Sequence, residues 1–396
     1  MTIHSWSPAN LLTDYFALSN IGSSLLNASF MSFISIASAA FLRVKVTGAI
    51  IASIFTVAGF SLFGKNLYNS LPIIFGVACY CKIARVPFKA NLLPAFFGTA
   101  LAPLVSEITF NLGLHPAAGI SLGILAGFFV GLILLPLSHH FLSFHKGYNL
   151  YNIGFTTGII GTFFIAILRT FDVKIEAISL VSSGNNMKLS ILLFCAFSAT
   201  FLFGLSQNRW GIKGYRELLR QSGKLPSDFI AISGFGLTLI NMAFLGVIAT
   251  TYILLIGGEL TGPSIGGIFT VVGFGAYGKH IRNVSPVLLG IFLMGMLNVH
   301  DIYDTPALLA ALFGMTLAPI SGYYGPLAGI IAGVLHMALV MNISDLHAGM
   351  NLYNNGFSGG FIAAALVPVF DCVIKLKKGS HRGINYEQEQ NKTTNY

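Results

Sequence analysis

The tetrapeptide Asn149-Leu150-Tyr151-Asn152, within "GYNLYNIGFTTG" (147–158), recurs as Asn351-Leu352-Tyr353-Asn354 and again as Asn66-Leu67-Tyr68-Asn69. Each copy lies against long apolar runs, where a polar side chain is costly unless it is bonded. An asparagine amide offers two donors and an acceptor without net charge. Such groups suit a small solute that exchanges its hydration shell for fixed dipoles, and a helix N-terminus adds about half a positive charge. Neutral polar solutes or anions fit that chemistry best. Gly147 loosens the chain, Asn149 is placed to cap a following helix, and Asn149 and Asn152, three apart, share a helix face. Substrate-facing candidates are therefore Asn149, Tyr151, Asn152, Asn351, Tyr353 and Asn354, with Asn66, Asn69 and Asn283 as a related set. The competing reading leaves these amides bonding neighbouring helices, the tyrosines at the water interface and the glycines packing helices closely.

A second pair of stretches, "LPAFFGTALAP" (93–103) and "LAALFGMTLAP" (309–319), carries a proline near the end of an apolar run. Proline kinks or breaks a helix and frees carbonyls, and inside a membrane such backbone faces protein or a water-filled cavity. Thr99, Pro103, Thr316 and Pro319 are accordingly expected to line a pore or a re-entrant segment. Glu107 follows the first stretch, with Tyr323 in the equivalent place of the second, so it is a one-sided candidate for proton coupling. His145 and His347, each just before the asparagine motif, are candidates for titration at a vestibule. The spacing of His139, His140, His145, His336 and His347 favours loop or interface positions over a metal site, and no cofactor is expected.

These residues must be held by membrane-spanning helices. The chain has 396 residues, 55% hydrophobic and 9% charged, against roughly a quarter charged in soluble domains. Apolar runs near the ~20 residues that cross a bilayer recur at 21–42, 117–137, 191–205 and 230–256. They are too long and continuous for β-barrel strands. The first sixteen residues hold no Lys or Arg and no cleavage-like site follows, so the first span is expected to anchor itself. Cys79, Cys81, Cys195 and Cys372 read as small apolar residues in packing positions. The net charge of +9 sits in short loops beside apolar spans, as membrane topology demands, so no nucleic-acid partner is expected.

The chain is a tandem duplication. A shift of 214 residues aligns 14–72 with the C-terminal part without a gap: Asp14, Asn27 and Phe30 meet Asp228, Asn241 and Phe244, and "TGAIIASIFTVAGFSLFGK" (47–65) meets "TGPSIGGIFTVVGFGAYGK" (261–279). Asn69 and Pro72 then meet Asn283 and Pro286, and His145, Gly147 and 149–152 meet His347, Gly349 and 351–354. The fold class that follows is an all-α integral membrane protein of two homologous six-segment repeats with broken or re-entrant helices and a linking helix. Repeat A covers 10–170, the linking helix and basic cytoplasmic loop 171–226, repeat B 227–374 and a polar cytoplasmic tail 375–396.

Seven segments separate equivalent positions, and an odd number inverts the second repeat. Loop charges agree. Arg43/Lys45, Lys82/Arg85/Lys89 and Lys146 correspond to Glu259, Asp301/Asp304 and Asp345, while Lys279/Arg282, the linker lysines and arginines and Lys375/Lys377/Lys378 fall on the other copy's basic side. This places the N-terminus outside and the C-terminus in the cytoplasm of a multi-pass cell-membrane protein, with Lys65 and Lys174 as exceptions. The linker 208–224 reads as a cytoplasmic loop, with an interfacial amphipathic helix as its alternative.

The repeated "NLYNxGF" segments resemble an uncharacterised family of duplicated bacterial membrane proteins. "KGYNLYNIGFTTG", "AGMNLYNNGFSGG" and "NLLPAFFGTALAP" are also similar to segments of urea transporters, channels with two inverted halves, although the residues after the leucine-proline read Phe96-Phe97-Gly98-Thr99. That resemblance implies passage of a small polar solute. Inverted repeats are also the architecture of many transporters. The function expected is a channel or secondary transporter for a small neutral or anionic solute. Partners would be the lipid bilayer and that solute, with homo-oligomerisation left open. A membrane-embedded enzyme is the alternative, yet no HExxH, GxSxG or paired carboxylate motif supports it; a sensor or scaffold leaves the twice-repeated polar motif unexplained.

Overall fold

The computed structural model describes residues 13–173, 175, 180–297 and 301–393. The first repeat contains α1 (Ile21–Phe41), α2 (Gly48–Phe60), α3 (Leu67–Ile83), α4 (Leu92–Gly98), α5 (Ala102–Phe110), α6 (Pro116–Phe144) and α7 (Asn152–Thr170). The linking helix is α8 (Asn186–Gln207). The second repeat contains α9 (Phe235–Leu255), α10 (Gly262–Phe274), α11 (Ile281–Met296), α12 (Thr305–Gly314), α13 (Ala318–Tyr324), α14 (Pro326–His347) and α15 (Asn354–Thr393). Because α4 with α5, and α12 with α13, are single rods interrupted by 3-10 turns, each repeat has six segments. Among the described residues nine helical segments are long and apolar enough to cross a bilayer. This is a multi-span helical membrane protein. α15 is one helix through Thr393, so the boundary expected at 374/375 is not a break in structure.

Four helices are shorter: α2, α3, α10 and α11. The thirteen residues of α2 rise ~20 Å, less than the ~30 Å hydrocarbon core. α2 and α3 are joined by a turn that is buried: Ser61, Leu62, Phe63 and Lys65 have no exposed surface. A buried turn needs internal partners for its backbone. The Asn27 amide on α1 supplies them, donating to Ser61 O at 2.7 Å and Lys65 O at 2.8 Å. Asn241 on α9 repeats this for Gly275 O at 2.7 Å and Lys279 O at 2.8 Å.

α2 packs antiparallel to its own counterpart α10. Gly48 lies against Ala276 and Gly262 against Leu62; Gly59 lies against Gly266 and Gly273 against Ala52. Each pair is carried onto the next by the 214-residue shift. Equivalent helices that run antiparallel are related by a dyad perpendicular to their axes, which is an inverted repeat. The glycines are required because a Cβ at Gly59 would stand 2.6 Å from the Gly266 carbonyl oxygen.

Loop contacts follow the parity. Leu225 N donates to Gly147 O at 3.0 Å, joining the Lys146 loop to the basic linker. On the opposite end Gly184 N donates to the Glu259 carboxylate at 3.2 Å, and Leu260 N to Asn186 Oδ1 at 2.6 Å. Two loop charges require correction. Lys65 and Lys279 are fully buried, so neither is a loop charge on either side. Lys174 lies outside the described residues, as do the side chains of Asp345, Lys377 and Lys378. The linker is not an interfacial helix either. Its helical turn, Tyr215–Leu218, is four residues long, follows Gly214 at φ 95°, and packs inward on Phe229, Leu237 and Ile240.

Candidate functional site

Each asparagine motif reaches across the dyad to the 3-10 turn of the other repeat. Leu150 N donates to Thr316 O and Leu352 N to Ala100 O, both at 3.1 Å. Proline at 103 or 319 cannot donate to the turn before it, which leaves these tightened turns with carbonyls turned toward the opposite half. Asn149 completes the first junction: its amide donates to Gly356 O at 2.8 Å, and its oxygen accepts from Thr316 Oγ1 at 2.6 Å and Tyr151 N at 3.1 Å. Asn351 forms the second, accepting from Tyr353 N at 3.2 Å and Thr157 Oγ1 at 3.3 Å, while its amino group is buried without a partner.

This corrects the expected capping role of Asn149. The asparagine folds a turn onto Tyr151 N, two residues on, and α7 begins only at Asn152. Asn149 and Asn152 consequently do not converge on one ligand. Asn152 bonds to the His145 ring at 3.0 Å and donates to Ser138 O at 3.2 Å. Its counterpart Asn354 is buried beside the His347 ring. The third copy of the tetrapeptide adopts a different geometry. Asn66 and Asn69 form a reciprocal capping box on α3, and His280 with Asn283 forms the same box on α11. Asn66, Asn69 and Asn283 thus cap helices and brace the turns that carry Lys65 and Lys279.

Thr99 and Thr316 also separate. Thr316 aligns with Ala100, and a one-residue offset turns a helical side chain by roughly 100°. Thr316 lies in the junction, whereas Thr99 donates to Phe96 O at 2.6 Å and faces a small outer groove beside α1 and α3. Pro103 and Pro319 are buried in the first turns of α5 and α13. Glu107 is buried on α5, where Asn111 donates to it at 2.7 Å, outside the junction. The histidine expectation is corrected in part: His145, His336 and His347 are fully buried instead of lining loops or a vestibule, because each ring finds a polar partner inside.

At the crossing the rings of Tyr151 and Tyr353 are 6.1 Å apart, with Phe60, Phe97, Phe274 and Phe313 around them. Lys65 and Lys279 enter this aromatic core from opposite sides. Lys279 Nζ donates to the Tyr151 hydroxyl at 2.6 Å. Lys65 Nζ has no hydrogen-bond partner and lies 5.2 Å from the Phe60 ring centre and 5.6 Å from that of Tyr353. Sequence reasoning missed both lysines by reading them as loop charges. The signal was present: a lysine kept at equivalent places in two inverted halves cannot obey the positive-inside rule in both.

A cavity of about 290 Å³ adjoins the core. Its walls include exposed His139 and Pro226, then Ser138 and Asn152, and it ends on buried Tyr151, Tyr353 and Phe274. It lies on the Asn152 side, beneath the basic linker, and touches neither Asn354 nor Phe60.

The model of the family described as "Protein of unknown function (DUF1576)" matches residues 2–170 and 207–372, once in each repeat. No curated protein and no solved structure matches the chain.

Proposed function

This chain belongs to the DUF1576 family, and from that premise we propose that it is a membrane transport protein, a channel or secondary transporter, for a small neutral or anionic polar solute. The observation that carries this reading is the cavity that descends from one end of the bundle to the tyrosine pair where the two motifs cross. Sites near the midplane between inverted repeats are where such proteins hold their solutes. The cavity is lined by Asn152 and does not extend to its counterpart Asn354. The charge pattern and the linker contacts support an N-terminus outside and the cavity mouth toward the cytoplasm.

The test is flux in liposomes. Purified protein is expected to speed entry of at least one member of a panel of urea, glycerol, nitrate and acetate. Asn152→Leu, which removes a cavity-wall amide, is expected to slow that flux at least tenfold while the protein still elutes as a single species. Vesicles that behave like empty ones for the whole panel refute the transport reading.

A further inference from the structure

The substrate class follows from the two lysines, given the transport reading above. An ammonium in a membrane interior is rare and expensive, and is retained where it has a partner or a function. Lys65 and Lys279 have no exposed surface and occupy equivalent positions in the buried turns that follow α2 and α10. Their described surroundings are aromatic rings and tyrosine hydroxyls. Lys279 lies 4.7 Å from the Tyr151 ring centre and 5.3 Å from that of Phe274; Lys65 repeats the arrangement with Tyr353 and Phe60. Ring faces supply a weak cation contact that leaves an ammonium's donors unused. Among the described residues Lys279 is bonded to its tyrosine and Lys65 has no hydrogen-bond partner.

We propose that Lys65 and Lys279 are the charged walls of a small-anion site at the crossing of the motifs, so that the solute is an anion bearing acceptor oxygens. A bound anion would hold both amines in their charged form by pairing with them, which neither a cation nor a neutral solute can do. The lysines approach from opposite sides of the dyad, so each half presents one to an anion bound beside the Tyr151–Tyr353 pair. The bond from Lys279 to Tyr151 closes one side, and the unbonded Lys65 is the side prepared to receive the ligand. The cavity reaches Tyr151, Tyr353 and Phe274, one aromatic layer from the Lys279 ammonium. Its volume of about 290 Å³ admits an inorganic oxyanion or a short carboxylate together with hydrating water.

Two measurements separate the site from the transport reading. The first is melting of the purified protein in detergent, titrated with potassium nitrate, acetate or phosphate. The wild type is expected to show a saturable rise with at least one of them, and Lys65→Met and Lys279→Met, at the same salt, a flat response. The second is flux of the same potassium salts, with valinomycin, against urea and glycerol in proteoliposomes; anion flux is expected to fall at least tenfold in either variant. Flux of neutral solutes alone, unchanged in both variants, overturns the anion site and leaves transport standing. A lysine-dependent melting shift without flux retains the site and removes transport. Neither shift nor flux overturns both. If the methionine variants do not elute as single species, Lys65→Arg and Lys279→Arg are compared instead. Their broader head group is expected to reorder affinity among the three anions, and an unchanged order overturns the site.

Discussion

Asp14 accepts the backbone N–H of Gly262 at 3.0 Å, so a carboxylate from the first repeat caps a helix of the second. Asp228 returns the contact, accepting Gly48 N at 3.0 Å. Each aspartate also caps its own short helix, through Phe16 N at 2.9 Å and Ile230 N at 3.0 Å. Negative charge at a helix N-terminus is favourable, and here it joins α2 and α10 to the opposite halves. The halves are interlocked at the helices that end beside Lys65 and Lys279.

Replacing either cap by alanine should lower stability by about 0.5–2 kcal/mol. Melting in detergent of Asp14→Ala, Asp228→Ala and the double variant checks this, and a double variant as stable as the wild type would show that the crossed caps contribute nothing.

Asn27→Leu and Asn241→Leu each leave two buried turn carbonyls without their amide donor. A loss of about 1–3 kcal/mol per unsatisfied group is expected. Equal melting losses for the two variants would reflect the symmetry, and a loss confined to one would contradict it.

Gly59→Ala places a Cβ 2.6 Å from the Gly266 carbonyl oxygen, and overpacking of this kind costs about 1–3 kcal/mol. Gly211→Ala, where the nearest atoms are 4.0 Å away, is the control and should stay within about 0.5 kcal/mol.

Thr316→Val removes the hydroxyl that donates to Asn149 at 2.6 Å and accepts from Tyr151 N at 3.0 Å. Thr99→Val alters only a bond to its own helix. Any solute flux found in liposomes should fall several-fold in the first variant and little in the second; the reverse order would move the site to the outer groove.

Lys45 and Asp304 are both exposed, at opposite ends of the bundle by parity. Lys45→Cys and Asp304→Cys, in a background without Cys79, Cys81, Cys195 and Cys372, should react with an impermeant maleimide from opposite sides of the membrane. Asp304→Cys is expected to react in intact cells and Lys45→Cys only after permeabilisation.

Much of the architecture was legible along the chain. Apolar runs of bilayer length fix helices, because only intrachain hydrogen bonds satisfy backbone in lipid. The 214-residue shift and the charge reversal gave the inverted pairing that the α2–α10 contacts display. The motif at 149–152 and Thr316 were each legible as polar groups within apolar runs, and the structure brings them into hydrogen-bond contact.

The chemistry of the centre was decided by tertiary structure. One tetrapeptide is a capping box at 66–69 and a cross-repeat junction at 149–152, because the first begins a helix at its second residue and the other at its fourth. Thr99 and Thr316 look equivalent in sequence and point apart, because one residue of offset rotates a side chain by about 100°. Lys65 and Lys279 resemble loop charges, since charge and hydropathy are read locally. Burial is non-local: it arises only where the short helices α2 and α10, too short to cross alone, pack antiparallel and draw the turns that follow them into the protein.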